Sequence, residues 1–445
     1  MPGTSRKATF ALAASACLAL LATACTGQSD AGTSDDASKE TTLNFWHAWS
    51  APSEVKAVKD LVAGFEKTHP TIHVNVVGNM TDDKINQALR TGGGKAPDVI
   101  SSFTTNSVGR FCSSGALVDL NPFFEKSGID PEKTFPKAMN EYTQFEGDRC
   151  AVPLLGDAYG LYYNKTAFKK AGIAAPPKTW SEFEEVAKKL TIPQGDSYEQ
   201  LGFMPNYHGW ETTTEHYLGQ FSPTYFDKDG KSNVAEDPAF AQAFRVQKKL
   251  VDALGGYRKL ETYRSGLGDE WGPKHPFHTG QVAMQLDGEW RLGMALDTKP
   301  KFDIGVAPLP VPDDQADQYG KGYITGTIAG IAATSTKQNA AWELVKYMTT
   351  DTDAVVNFSN AIHNVPSTLA ALKSPKLKYD PRFKTFLEIA ANPDSTTAPA
   401  SVNGGVYLTT IQEFGYAYES GKATDLKKGL RDTARQIDTD IAQAK

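Results

Sequence analysis

The chain has 445 residues, 40% of them hydrophobic and 22% charged, with 46 basic against 52 acidic side chains and a formal charge of −6. This ordinary globular balance excludes chain-wide disorder, a collagen-like repeat and a disulfide-dense scaffold. It also lacks the basic footprint of a nucleic-acid binder, so no nucleic-acid partner is expected.

Arg6 and Lys7 precede a stretch, Ala8 to Ala24, without a single charge. A run of about 17 apolar residues is at the lower limit for a spanning helix. Its end, Ala22-Thr23-Ala24-Cys25, has the small residues of a cleavage site, so residues 1–24 read as a signal peptide. The same four residues resemble a bacterial lipobox, with Ala22 where the pattern prefers Leu and Leu21 one place earlier. That resemblance implies a lipid on Cys25, and the Ser/Thr/Asp/Gly-rich residues that follow make 25–40 a flexible tether. The expected location is the outer face of the bacterial cytoplasmic membrane, as an exported lipoprotein. Only Cys112 and Cys150 then remain in the folded part. In an oxidising compartment such a pair reads as a disulfide, against two buried thiols as the alternative.

Thr42 to Trp46 alternates and predicts a strand, and Ser53 can cap a helix running to about Lys67 with Val55, Val58, Leu61, Val62 and Phe65 on one face. Ile72 to Val77 is a second alternating strand. A helix from Asp82 to Arg90, a Gly92-Gly93-Gly94 stop and a short strand at Pro97 to Ile100 follow. Strand, helix, strand, helix, strand is the order of an α/β layer with a largely parallel sheet. Thr179-Trp180-Ser181-Glu182 opens a helix to Leu190 as a capping box. Further helices are expected at 238–254, 339–348 and 354–359, and strands at 281–286, 303–307 and 324–332. Leu426, Leu430, Ile437 and Ile441 form the stripe of a final helix. No internal repeat is apparent.

Catalytic and metal signatures are scarce. Thr91-Gly92-Gly93-Gly94-Lys95 looks superficially like a phosphate loop, but no Ser or Thr follows the Lys and the order is helix–Gly–strand. His69/His73 and His275/His278 each straddle a proline and read as solvated loop residues, so no metal and no cofactor are expected. The aromatic residues are more informative. Trp46 and Trp49 end the first strand, where open α/β sheets place ligands. Trp210, Trp271 and Trp290 each stand beside a glycine and an acid. A pyranose suits that mixture, because its C–H faces stack on rings and its hydroxyls bond to carboxylates. For any one Trp, a core position is the competing reading.

Several segments then resemble, in order and over nearly all of the chain after the tether, the bacterial extracellular solute-binding proteins of ABC-type sugar importers, in particular the maltodextrin-binding class. They include Leu43 to Trp49, Phe65 to Pro70, Gly94 to Val99, Gly115 to Leu120 and Ala151-Val152-Pro153. Further on come Leu161-Tyr162-Tyr163-Asn164-Lys165, Pro176 to Trp180, Phe277 to Met284, Gly288-Glu289-Trp290 and Ala340 to Val345.

The resemblance implies an α/β, periplasmic-binding-protein-like (type II) fold with two discontinuous lobes around a cleft. Lobe one would be 41–156 plus 325–361, and lobe two 157–324 plus 362–445. Asp157 matches a sugar-binding carboxylate, against a hinge residue paired with a lysine as the alternative. Trp290, after Glu289, matches a stacking Trp. Trp210 corresponds to an aromatic segment lining the same cleft, and Phe103 and Thr104 to a ligand-facing loop. His47 and Trp49 would face the cleft from the first strand. Gly405 and Tyr407 would precede a helix that adds contacts, with Tyr323 and Asn364 near the crossing strands. The implied function is capture of a sugar or oligosaccharide by lobe closure and delivery to an ABC permease with a separate ATPase, by a monomer that is not an enzyme. Acidic neighbours such as Glu211, Asp269 and Glu289 leave an amino sugar open. A secreted hydrolase or lyase using cleft carboxylates is the competing function, and a lipoprotein that only docks other proteins is a third.

Overall fold

The computed structural model describes residues 40–205 and 211–445; the expected signal peptide, Cys25 and Trp210 lie outside them. Ten strands form one sheet among these residues. They are β1 (Thr41–Trp46), β2 (Ile72–Val77), β3 (Val99–Ser102), β4 (Val152–Asn164), β5 (Ile192–Gln194), β6 (Ser197–Phe203), β7 (Val282–Gly288), β8 (Ile304–Ala307), β9 (Ile324–Ile331) and β10 (Val365–Pro366). The order is β2-β1-β3-β9-β4-β7-β6-β5, with β10 and β8 also paired to β4. The sheet is mixed and only locally parallel. β1 runs parallel to β2 and β3, and β6 to β7, while β9 and β4 are antiparallel to their neighbours. The expected parallel layer therefore stops at β3, where a strand from far along the chain inserts.

The 13-residue β4 is the axis of the molecule. Val152 to Ala158 pairs with β9, and Tyr159 to Tyr163 pairs with β7. A register shift falls between Pro153 and Leu155, as expected where a proline has no N–H for the ladder. Tyr162 and Tyr163 point to opposite faces: Tyr162 is fully buried and its hydroxyl donates to the Gly288 carbonyl at 2.7 Å, whereas Tyr163 is half-buried.

Three apolar cores flank the sheet. One joins β1 to the helices Pro52–Thr68, Gln338–Thr350 and Thr352–Ile362 through Phe45, Phe65, Leu344 and Phe358. A second packs Tyr159, β6 and β7 against Trp180–Leu190, Pro238–Ala253, Val406–Glu419 and Leu426–Ala444. The third lies along the middle of the sheet around Tyr142, Tyr162, Ile328 and Phe386. The first helix begins with Pro52, one residue earlier than the expected Ser53 cap. Proline at the first helical position needs no hydrogen-bonded N–H, and Glu54 accepts from the Ala51 N–H at 3.2 Å. Its buried face holds Ala57 in place of the half-buried Val55. Thr179 caps Trp180–Leu190 as expected, accepting from the Glu182 N–H at 3.4 Å. His275 and His278, expected in solvent, are buried and stack at 4.7 Å. Among the described residues no helix is long and apolar enough to cross a membrane.

Cys112, in the helix Val108–Ser113, and Cys150, just before β4, form a disulfide with Cα atoms 5.4 Å apart and a sequence separation of 38. Closing a loop of that length removes unfolded-state entropy worth ~4 kcal/mol. The double variant Cys112→Ala/Cys150→Ala should lose stability of this order in urea unfolding, and an unchanged midpoint would refute the estimate.

Candidate functional site

Asp157 lies where β4 leaves β9 for β7, and Glu289 directly follows β7. Asn364, one residue before β10, joins them: its Nδ2 donates to Asp157 Oδ1 at 2.8 Å and to Glu289 Oε1 at 2.7 Å. Glu289 Oε2 accepts from the Ala158 N–H at 2.9 Å. The two carboxyls meet at this one amide, close enough for each to act on the titration of the other. Burial raises Asp157 from 3.8 to about 6. Burial and then the Asp157 charge push Glu289 well above its ordinary value. The pair therefore holds one proton near neutral pH. Glu289 is wholly buried, and Asp157 is the partly accessible member that can meet a ligand.

Tyr159 shares the Asp157 face of β4 and anchors a ring cluster. It stacks on His216 at 3.7 Å, meets Trp290 edge-on at 5.7 Å and Tyr323 at 6.0 Å. Trp290 folds back over the end of β7, so close that a Cβ on Gly288 would lie 2.3 Å from the indole. Gly288 is thus what lets the ring reach this place. Among the described residues, the Trp290 Nε1 and the Tyr323 hydroxyl have no hydrogen-bond partner.

A second acidic group adjoins the first. Asp287 forms a fully buried ion pair with Arg291, Nε to Oδ2 at 2.7 Å, and Arg291 Nη1 donates to the Glu270 carbonyl at 3.0 Å. The guanidinium lies 5.4 Å from the Trp271 ring centre, and Trp271 is 55% exposed. Burial, followed by the charges of Asp287, Glu270 and Asp157, lifts Glu211 to about 8. Burial also lifts Glu270 and Glu215 to about 7 each. Asn106, a residue of the segment after β3, acts against that rise at Glu215.

The structure thus brings Asp157, Glu289, Trp290, Tyr323 and Asn364 into one neighbourhood. Tyr407 adjoins it through Tyr225 at 5.5 Å, inside the helix Val406–Glu419, not ahead of it, and its hydroxyl donates to the Pro399 carbonyl at 2.7 Å. Gly405 caps that helix at φ 86°, with Asn106 2.7 Å from where a Cβ would stand. His47 and Trp49 differ from expectation. Phe45, His47 and Trp49 continue one alternation past the end of β1, which turns all three into the first core at 0%, 0% and 3% exposure. Phe103 is 51% exposed and lies edge-on to Trp49 at 5.4 Å, while the Thr104 hydroxyl donates to Asp82. Tyr159, His216, Asn106 and Arg291 were not singled out by motif. No spacing signalled any of them: Asp287 and Arg291 are four residues apart, but Asp287 lies in β7 and Arg291 in the following helix Trp290–Asp297.

Residues 51–355 match the family described as bacterial extracellular solute-binding protein. The chain belongs to this family. It is accordingly an exported solute-binding protein and not an enzyme. This solute-binding protein is 23% identical over 339 residues to the maltotriose-binding protein of Pyrococcus abyssi, covering 76% of this chain and 68% of that one. It is 24% identical over 349 residues to the sn-glycerol-3-phosphate-binding periplasmic protein UgpB of Brucella abortus, covering 76% and 77% of the two chains. The structure of the sugar-binding protein MalE from Xanthomonas citri superposes with a TM-score of 0.75 at 22% identity, over 90% of this chain and 98% of that one. The fold is therefore the type II periplasmic-binding-protein architecture, with two α/β lobes built from non-contiguous chain.

The raised acids make stability depend on pH in a definite direction. Each folded-state value lies above the unfolded one, so the stabilisation is present below about pH 4 and drains away as pH rises through about 6, 7 and 8 for Asp157, Glu270 and Glu211. The melting temperature should fall between about pH 5 and about pH 8, and Glu289→Gln, neutral throughout, should flatten that fall. A wild-type profile that rises over this range would contradict the assignment.

Proposed function

We propose that this protein is the sugar- or oligosaccharide-binding component of an ABC importer, held by a lipid on Cys25 at the outer face of the cytoplasmic membrane. The observation that carries the sugar reading is the junction of the Asp157/Glu289/Asn364 cluster with the Tyr159 and Trp290 rings. Carboxylate oxygens there can accept hydroxyl protons in charge-assisted bonds beside flat apolar faces for pyranose C–H groups. The maltotriose-binding relative and the sugar-binding neighbour are consistent with it.

On this reading the lobes are 41–156 plus 325–361 and 157–324 plus 362–445, with residues 1–24 removed and 25–40 as the tether. The change of partner along β4 at Asp157 supports the boundary. A monomer captures ligand by closure, and a permease pair, energised by a separate ATPase, receives the closed form. Driving such an equilibrium from mostly open to mostly closed takes about 5.5 kcal/mol of differential affinity. A hydrolase would need its two carboxyls on either side of a glycosidic bond, and Asp157 and Glu289 instead converge on the one Asn364 amide.

Two measurements test this. Calorimetry with maltotriose, mannotriose and monosaccharides should show saturable binding without product, and Trp290→Ala should weaken it by roughly 10–100-fold. Absence of binding to every sugar, or release of shorter products, would defeat the reading. Cys25→Ser should move the protein from the membrane fraction to the soluble exported fraction and abolish palmitate labelling; retention in the membrane would defeat the anchor.

A further inference from the structure

We propose that the site selects a cationic saccharide, one carrying free amino groups, over its N-acetylated or hydroxyl-only counterpart. The proposal rests on the sugar-binding reading above and names the ligand class for the same site. Its first support is an imbalance of charge. Asp157, Glu211, Glu215, Glu270, Asp287 and Glu289 act on one another or on the same rings, and Arg291 is the cation among them. Arg291 is already engaged by Asp287 and by the Glu270 carbonyl. Among the described residues, no lysine or arginine lies within ion-pair distance of Glu211 or Glu215. Among the described residues, the basic side chain paired with them is His216, 3.9 Å from Glu211 and 3.7 Å from Glu215.

The histidines cannot supply the missing charge. Burial holds His216 and His278 down at about 4 and His275 at about 2, with Arg291 disfavouring the charged form of the latter two. All three are neutral wherever the acids can ionise.

A second, independent observation points to a ligand. The hydroxyls of Tyr323 and Tyr225, on side chains only 1% and 4% exposed, have no partner among the described residues, and both lie close enough for the Glu215 charge to act on them. Glu270 Oε1 and Trp290 Nε1 are buried and unpartnered as well. Buried polar atoms without partners are rare in finished sites, and an arriving ligand would complete them.

The arrangement also says what kind of cation fits. No three acids or histidines among the described residues converge in a way that could hold a metal ion. Acceptors distributed over a ring-lined surface suit ammonium groups spaced along a sugar chain, with the half-buried Trp290 ring offering a face both to pyranose C–H groups and to the cation. A neutral sugar leaves Glu211 and Glu270 protonated, whereas an ammonium group converts them to carboxylates in charge-assisted pairs. Binding of the cationic ligand therefore releases protons from the protein.

The experiment is calorimetry of the protein with the glucosamine trisaccharide, its tri-N-acetylated form and maltotriose, at mildly acidic pH where the amines are charged. Each titration is run in two buffers of different ionisation enthalpy. The expected result is affinity for the glucosamine trimer at least about tenfold above both others, with proton release for that ligand alone. Glu211→Gln and Glu270→Gln should each weaken the glucosamine trimer by about tenfold, with circular dichroism showing which variants are folded. Equal or tighter binding of the N-acetylated trimer or maltotriose overturns the cationic assignment while leaving the sugar-binding reading intact. Failure of all three to bind overturns both. Full affinity for the glucosamine trimer in both folded variants also overturns the assignment to these acids.

Discussion

Two buried carboxyls that meet at one amide set the terms for the rest of this protein. Asp157, Glu289 and Asn364 come from segments more than 70 residues apart, and Asn364 Nδ2 reaches both acids within 2.8 Å. An unpaired buried carboxylate is costly, and two facing each other are worse, unless a proton and a donor are fixed between them. Here both are present, and a third donor, the Ala158 N–H, belongs to β4 itself. The cluster therefore ties the changeover in β4 to the end of β7 and to the start of β10. Removing Asn364 would leave the acids facing each other with only their shared proton. Its contribution is geometric as much as energetic, because it decides where these segments cross.

From that crossing the aromatic site follows by short steps. Asp157 and Tyr159 are two residues apart on a strand and so face one way. Tyr162, on the other face, donates to the Gly288 carbonyl and holds the last residue of β7. Gly288 in turn has no Cβ to block the Trp290 indole. The ring that the sequence motif marks as a stacking residue is thus placed by a glycine, a tyrosine hydroxyl and a carboxyl. None of these needs to touch a ligand to matter to one.

How much of this was legible beforehand depended on whether a residue acts through local pattern or through distant neighbours. The first helix, its apolar face and the Thr179 cap were readable because periodicity and capping are local chemistry. Asp157 and Trp290 were reachable through short motifs. The helix Val406–Glu419 was reachable only through the resemblance, which implied a helix after Gly405 and Tyr407, because apolar and aromatic residues ring it and blur the 3.6-residue period. His47 and Trp49 misled because position at a strand's end says little about facing. The alternation that buries Phe45 simply continues. The partnership of Glu211 with Glu270, or of Asn106 with Glu215, joins segments dozens of residues apart and leaves no trace in spacing.

The electrostatics of the site bear on the proposed closing cycle. The acids are raised by burial and by one another, and the neighbouring histidines are lowered by the same burial, so both sets drift toward their uncharged forms. A cleft lined by fully ionised carboxylates would repel itself as its walls approached and would drive up the cost of closure. Protonated acids remove that repulsion, so the proposed closure brings largely uncharged walls together. Charge then develops only when something arrives to meet it. Discrimination between ligands becomes a question of which one can draw protons out of the site, more than of which one fits its outline.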